Sequence, residues 1–464
     1  MVKLSLRLFP SVAGKLLYCA RCYSSRNILT LYERGILQSV FPENRTPDIV
    51  KHLRSSSCCV YAGFDPTADS LHIGNLLVLI TLVHCQRAGH RTISLIGGAT
   101  GLIGDPCGRK KERESIDESQ LKKNMKGIRK NIENIFTNHE SFLWQDKDDL
   151  AKNVILDNSK WYSDQNLIEF MSKIGRQFRM STMLRKESVQ SRLKSVEGMS
   201  YTEFSYQIFQ AYDWLHLYNN YNCSIQIGGH DQLGNTIAGY ELITSLSKQP
   251  QVYGLTVPLV TTSSGEKLGK SAGNAIWLDS RKTSPFNFYQ HFINVADADV
   301  LKYLKLFTFL PQNEIDDLMK AQGKNPESRA AQRKLAEQVT LLVHGENGLK
   351  LAELSTDILY NQSTEALFAL SKDELKKIFN SSPIVSITLE QGLTVLDLVE
   401  QAKCFSRPVD AYRTISEGGL YINHQKVTDQ AELLIPGQHI LPSGITLIRI
   451  GKKNRYYVVE WLMF

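Results

Sequence analysis

Two short segments, far apart in the chain, hold residue types suited to polyphosphate chemistry. The first reads Asp65-Pro66-Thr67-Ala68-Asp69-Ser70-Leu71-His72-Ile73-Gly74-Asn75, and the second reads Lys267-Leu268-Gly269-Lys270-Ser271. The apolar run beyond Asn75 predicts a helix from about residue 72 to residue 87, closed by Gly89, so the first segment lies at a helix N-terminus. A helix start offers unpaired backbone N–H groups and about half a positive charge, which attract phosphate without a Walker-type loop. His72 and Asn75 add side-chain donors, and Gly74 lets a nucleotide approach the backbone. Lys267 and Lys270 stand among Ser263, Ser264, Gly265, Gly269 and Gly273, where lysines act as movable charges over a triphosphate. Alone, the first segment is also a polar helix cap and the second a solvated loop. Together they describe one polyphosphate site.

The stretch Gly98-Ala99-Thr100-Gly101-Leu102-Ile103-Gly104-Asp105 follows a predicted strand, yet lacks the G-x-G-x-x-G spacing of a dinucleotide site. The region about 20 residues on is a lysine-rich helix rather than a strand ending in an acid. Nicotinamide and flavin binding are set aside on that ground.

These segments need a scaffold. Strands are predicted at 58–64, 91–98, 154–157, 224–229 and 252–261, and helices at 72–87, 202–216 and 232–246. Strand, helix, strand with a crossover of this length is a parallel unit of a doubly wound sheet. Residues 110–200 turn charged and helical, which reads as an insertion between the two halves of the sheet. Beyond residue 285 strand signals vanish, and amphipathic patterns predict a helical domain over 285–395. Residues 396–464 change again: a helix near 406–418, then short strands near 419–423, 445–450 and 456–461. The expected organisation is a catalytic domain over 25–284, the helical domain and a small C-terminal module.

A hydrophobic content of 42% and a charged content of 22% are ordinary globular values. The net charge of +7 is local: Lys3, Arg7, Lys15, Arg21 and Arg26 precede the first acid, Glu33, and the rest is near neutral. Such a basic, Ser- and Leu-rich start, with Lys15 interrupting its apolar run, reads as a mitochondrial transit peptide over residues 1–24. The only Cys-x-x-Cys, Cys19 to Cys22, falls inside it, so zinc-ribbon spacing is absent and no metal ligands are assigned. The longest apolar stretch, residues 76–85, is too short to span a bilayer, and no membrane partner is expected.

Beyond the two phosphate segments, Tyr61-Ala62-Gly63-Phe64, residues 97–106, Tyr201-Thr202-Glu203-Phe204-Ser205-Tyr206 and Gln226-Ile227-Gly228-Gly229-His230-Asp231-Gln232 complete a pattern. It resembles the bacterial-type tyrosyl-tRNA synthetases of class I over nearly the whole chain after the leader. The resemblance implies an α/β fold: a Rossmann-like doubly wound parallel sheet with a helical insertion, then an α-helical domain on the anticodon side and a small α+β RNA-binding domain. It implies activation of L-tyrosine by ATP and transfer to mitochondrial tRNA(Tyr), by a homodimer in the mitochondrial matrix.

By position, the resemblance places Tyr61 and Asp213 around the substrate phenol, Asp105, Tyr206 and Gln210 around its ammonium, and Gln226 in the same pocket. It places Asp65, Thr67, His72, Gly74 and Asn75 on one side of ATP, and Gly229, Asp231 and Gln232 near ribose and adenylate. Lys267 and Lys270 hold the departing pyrophosphate, and Mg²⁺ arrives with ATP rather than in a protein cage. The chemistry agrees, since a phenol needs a donor and an acceptor while an ammonium needs acceptors only.

Departures are Asn75 for a frequent second histidine, Leu268-Gly269 for Met-Ser, and Ala62 for a frequent cysteine. RNA contacts are expected from Arg176, Arg179, Arg185 and Lys186 within a basic stretch that continues to Arg192 and Lys194. In the C-terminal module they are expected from Arg407, Arg413, Lys452, Lys453 and Arg455. Two rival readings share these motifs: a tryptophanyl enzyme, against which Tyr61 with Asp213 argues, and a non-catalytic RNA-binding or splicing protein built on a synthetase.

Overall fold

The structure is a computed structural model. It describes residues 26–464 apart from 108–110, 115, 146–149, 264, 266–267, 269, 272–273, 360–363, 380–381, 452–454 and 463–464. The leader at 1–24, Lys267, Lys452 and Lys453 therefore lie outside the described residues, and for Lys270 and Arg455 only the backbone is described.

Six strands form the main sheet: β1 (Ser39–Phe41), β2 (Cys59–Phe64), β3 (Arg91–Ile96), β4 (Val154–Asp157), β5 (Cys223–Gly229) and β6 (Tyr253–Val257). Their order is β1-β6-β5-β2-β3-β4. All neighbours are parallel except β1, which runs antiparallel along β6. The central strand β2, Cys-Val-Tyr-Ala-Gly-Phe, is buried at nearly every position, as a strand covered on both faces must be. The helix Ile73–Arg87 after it is apolar almost all round and buries residues on every side. This is the doubly wound parallel sheet expected from the sequence.

Three details differ from the reading of the sequence. The charged stretch 110–200 is not wholly an insertion, because it carries β4, the parallel edge strand beside β3. The strand expected at 252–261 ends at Val257, where Pro258 has no N–H for the ladder. Edge strand β1, only three residues long, is too short for its alternation to register.

The chain divides into two compact units. One runs to Ser284 and resumes over Phe288–Gly345; the other holds Pro285–Asn287 and Glu346–Phe464. At the division the long helix Ala330–Leu359 is interrupted by Gly345, at φ 70° and ψ −176°. The boundaries expected at 284 and 395 are drawn on composition, whereas compactness changes at Gly345.

Two short strands, β7 (Lys270–Ser271) and β8 (Asn274–Ala275), pair with each other in the first unit. The second unit contains a five-stranded sheet: β9 (Ile384–Thr388), β10 (Leu420–Ile422), β11 (Gln425–Val427), β12 (Ile445–Ile450) and β13 (Arg455–Leu462). Alternation along β13 splits the core. Tyr457, Val459 and Trp461 face helices Val395–Gln401 and Pro408–Ser416, while Tyr456 and Val458 face Leu367, Leu375 and Phe379. Strand β9 lies in the region read as purely helical. Its Ile-Val-Ser-Ile-Thr is β-branched at every position but Ser386 and pairs in parallel with β13, a partner too distant in sequence to foresee.

Candidate active site

Strand β2 ends in Phe64-Asp65-Pro66 and hands the chain to the loop that starts the Ile73–Arg87 helix. His72 caps that helix. Its Nδ1 accepts the amide of Gly74 at 3.0 Å, and Asn75 Oδ1 accepts the amide of His72 at 3.2 Å, closing a reciprocal capping box. Nδ1 is thus spent as an acceptor, so the donor that neutral His72 offers a ligand is Nε2–H; Asn75 offers its amide N–H₂. Gly74 is needed for a reason the sequence reading missed: a Cβ there would lie 2.8 Å from the His72 ring. Gly97 is likewise held against Asp65, whose Oδ1 would lie 2.1 Å from an added Cβ.

The chain that follows the second phosphate segment meets the first. Ile73 donates to Ile276 and Leu278 donates to Leu71, each at 2.9 Å, so the chain leaving the lysine stretch is stitched to the capping segment. Beyond Leu268, Lys270–Ser271 pairs antiparallel with Asn274–Ala275.

A cavity of about 1010 Å³ is lined by Tyr61, Asp65, Thr67, His72, Gly74, Asn75, Asp105, Tyr206, Gln210, Asp213, Gln226, Gly229, Asp231 and Gln232. Every candidate for the small-molecule site other than Lys267 and Lys270 lies on this one surface, together with Leu268. Four of the lining residues are aspartates: Asp65, Asp105, Asp213 and Asp231. Asp65 accepts Tyr206 Oη at Oδ2 and Thr100 Oγ1 at Oδ1, both at 2.8 Å. Burial, then the charge of Asp105, raises its pKa to about 6 against those two donors. Asp105 accepts Gln232 Nε2 at 2.6 Å and the amide of Cys107 at 3.0 Å. Asn235 orders the neighbouring amides by donating to Gln210 and Gln232.

Asp213 is the most heavily supplied. Trp161 Nε1 and Tyr162 Oη reach its Oδ1 and Asn158 Nδ2 its Oδ2, all at 2.9 Å. Burial nevertheless lifts its pKa to about 7. Tyr61 is the opposite case. Its hydroxyl is buried without a hydrogen-bond partner, and burial followed by the charge of Asp213 pushes its pKa well up. Gln226, which pairs with Tyr61 across β5 and β2, also has an unpartnered buried Oε1. An unmet phenol oxygen beside an acceptor-rich carboxylate suits a ligand that both donates and accepts, and the Asp65–Asp105 region suits a cationic donor.

Residues 54–361 match the family of class I tRNA synthetases (W and Y). The chain belongs to this family. The synthetase is 49% identical over 464 residues to the mitochondrial tyrosine–tRNA ligase of Drosophila melanogaster, covering 99% of this chain and 100% of the relative. It is 48% identical over 434 residues to the protein of that name from Homo sapiens, covering 92% and 90%. Among solved structures it is similar to a C-terminally truncated Aspergillus nidulans mitochondrial tyrosyl-tRNA synthetase. There the TM-score is 0.65 at 32% identity, with 73% of this chain and 94% of that chain covered.

The sequence reading of the synthetase missed Asn158, Trp161 and Tyr162, which reach Asp213 from more than fifty positions upstream. No local motif marks them. Among the basic residues expected to meet RNA, Arg176, Arg179 and Arg185 are exposed. Lys186 is not a free charge: its Nζ donates to Gly234 O at 2.8 Å, and burial lowers its pKa to about 8. Arg192 must be withdrawn from that stretch, because it is 1% exposed and forms a bidentate pair with Glu203 at 2.7 and 2.9 Å. In the C-terminal module Arg407 and Arg413 both turn to Asp410, which offsets part of their charge. The segment from 167 to 193 also exposes Leu167, Ile168 and Met180, at 71%, 74% and 58%.

Proposed function

We propose that this synthetase is a mitochondrial tyrosine–tRNA ligase, which joins L-tyrosine to ATP as tyrosyl-adenylate, releases pyrophosphate and transfers tyrosine to mitochondrial tRNA(Tyr). The observation that carries this reading is the buried, unpartnered hydroxyl of Tyr61 beside Asp213, in the same cavity as the capped helix start.

In the proposed mechanism Tyr61 donates to the substrate phenol oxygen and Asp213 accepts its proton-bearing side, while Asp105, Tyr206 and Gln210 hold the ammonium. Asp65, tied to Tyr206, joins that group as well as lying toward ATP. The tyrosine carboxylate is ionised at neutral pH, so no general base is required. One of its oxygens forms a bond to the α-phosphorus as the bond to pyrophosphate breaks, and the electron pair leaves on pyrophosphate. Catalysis is positioning plus stabilisation of that charge. His72 Nε2–H, Asn75 and the positive end of the helix meet the phosphates from one side. They do not act through the first amides, as the sequence suggested, since those of Ile73, Gly74 and Asn75 donate to Ile276 O, His72 Nδ1 and His72 O. Thr67 and Gly74 flank the phosphates, and Lys267 and Lys270 meet the pyrophosphate. Gly229, Asp231 and Gln232 hold the ribose. The donor set on the phosphate side is amide, imidazole and hydroxyl rather than a carboxylate cage, which suits Mg²⁺ arriving on ATP.

The exposed Leu167, Ile168 and Met180 support a homodimer formed through the 167–193 segment. Arg176, Arg179 and Arg185 beside it, and Arg407, Arg413, Lys452, Lys453 and Arg455 in the small C-terminal module, are the proposed tRNA contacts, with the helical region between serving the anticodon side. The basic, acid-free N-terminal stretch of the sequence supports a matrix location. ATP–pyrophosphate exchange with a panel of amino acids tests the activity without RNA, and preference for tryptophan overturns it.

A further inference from the structure

Asp213 and its neighbours have more acceptors than Tyr162 has protons. Trp161 Nε1–H and Asn158 Nδ2–H can only donate, and each takes one oxygen of Asp213 at 2.9 Å. The hydroxyl of Tyr162 lies 2.9 Å from Asp213 Oδ1 and 2.8 Å from the carbonyl of Phe209, yet it carries a single proton. Phe209 is inside the Tyr201–Tyr221 helix, where its carbonyl already receives the amide four residues on. It accepts the hydroxyl without needing it.

Two proton arrangements satisfy these atoms. With Asp213 ionised, Tyr162 donates to Oδ1. With Asp213 protonated at Oδ1, the carboxyl donates to Tyr162 Oη, and Tyr162 donates to Phe209. Turning one O–H bond converts the first arrangement into the second as a proton arrives.

We propose that Tyr162 is a positioning residue that sets tyrosine selection, by holding Asp213 ionised and aimed when its hydroxyl turns toward the carboxylate. This rests on reading Asp213 as the phenol acceptor. The groups facing Asp213 are Tyr61 from β2, Asp65 beyond its end, Asn158, Trp161 and Tyr162 from the turn after β4, and Tyr206 and Tyr212 from its own helix. Asp65 is the charged one, and its sign opposes ionisation. Burial and Asp65 push the Asp213 pKa up to about 7, while Asn158, Tyr162 and Trp161 pull it down. Removing one of three donors therefore shifts the protonation balance within the working pH range.

The test is ATP–pyrophosphate exchange with tyrosine and phenylalanine, from about pH 6 to about pH 9, for the wild type, Tyr162→Phe and Asp213→Asn. Phe fits the site, since the Tyr162 ring already packs against Phe170, Phe209 and Tyr212. Tyr162→Phe is expected to raise the tyrosine KM about tenfold near the acid end and about twofold or less near the alkaline end. The loss falls on KM rather than kcat, and the acid limb of kcat/KM moves to higher pH. A loss equal at every pH, or an unmoved acid limb while Asp213→Asn abolishes the preference for tyrosine, overturns the role of Tyr162 alone. If Asp213→Asn keeps that preference, the phenol reading itself fails and this inference with it.

Discussion

The hydroxyl of Tyr206 donates to Oδ2 of Asp65 at 2.8 Å, tying the helix that carries Asp213 to the segment that leads into the phosphate cap. The other oxygen of Asp65 is also served by a hydroxyl, Thr100 Oγ1. Hydroxyls can reverse and accept, so an amide in place of this carboxylate keeps its partners. The Asp65 pKa is raised to about 6 from 3.8, so ionising it costs folding free energy. That cost is absent at pH values below the unfolded pKa, grows between the two values and is complete above the folded one. Asp65→Asn should therefore raise Tm at about pH 8 by roughly 2–4 °C, for about 1 kcal/mol, and progressively less toward about pH 4. Thermal melts across this range check it, and exchange activity should fall in the same variant.

Tyr61→Phe removes a buried hydroxyl that has no hydrogen-bond partner among the described residues. Deleting an unsatisfied polar atom is neutral or stabilising by about 1 kcal/mol. The Tm should hold or rise, yet the preference for tyrosine over phenylalanine should drop at least about tenfold, since the substrate phenol loses its donor. Melting curves and exchange kinetics on one preparation check both halves.

Lys270→Ala should lower the rate of adenylate formation far more than tyrosine affinity. The charge it is proposed to meet is spread over pyrophosphate most in the transition state, so the interaction is differential. Pre-steady-state formation of adenylate, with tyrosine binding measured separately, is the check. Equal losses in both contradict the assignment.

Acid should destabilise the first unit through buried neutral histidines. Burial drops the pKa of His139 to about 3 and of His344 to about 4, and that of His84 well below its ordinary value. A histidine with a lowered folded pKa contributes stability that is present above its unfolded pKa of about 6.5 and is lost as pH falls toward the folded value. His344→Leu should flatten the fall in stability between about pH 6.5 and about pH 4, as read by chemical denaturation at each pH.

Leu167→Asp with Ile168→Asp should give monomers. Both side chains are more than two-thirds exposed, at 71% and 74%, and a charge on each opposes burial against a second copy. Light scattering on the eluted protein reads the mass directly.

The sequence carried the central sheet and the small-molecule site more fully than the periphery, for physical reasons. Strands β2, β3 and β5 are buried runs that announce themselves, and His72, Gly74 and Asn75 sit together at a helix start. Strands β1 and β9 depend on partners far along the chain. Asn158, Trp161 and Tyr162 were invisible for the same reason: their importance lies in meeting Asp213, which only the fold arranges. Arg192 misled in the other direction. Its charge looked like part of an RNA-facing stretch until Glu203 was found to enclose it.

The most direct test of the whole account is ATP–pyrophosphate exchange by the protein without its leader, given tyrosine, phenylalanine and tryptophan in turn. The account predicts exchange with tyrosine, little with phenylalanine and none with tryptophan, and loss of the tyrosine preference in Asp213→Ala. Exchange driven best by tryptophan, or no ATP-dependent exchange with any of the three, would contradict it.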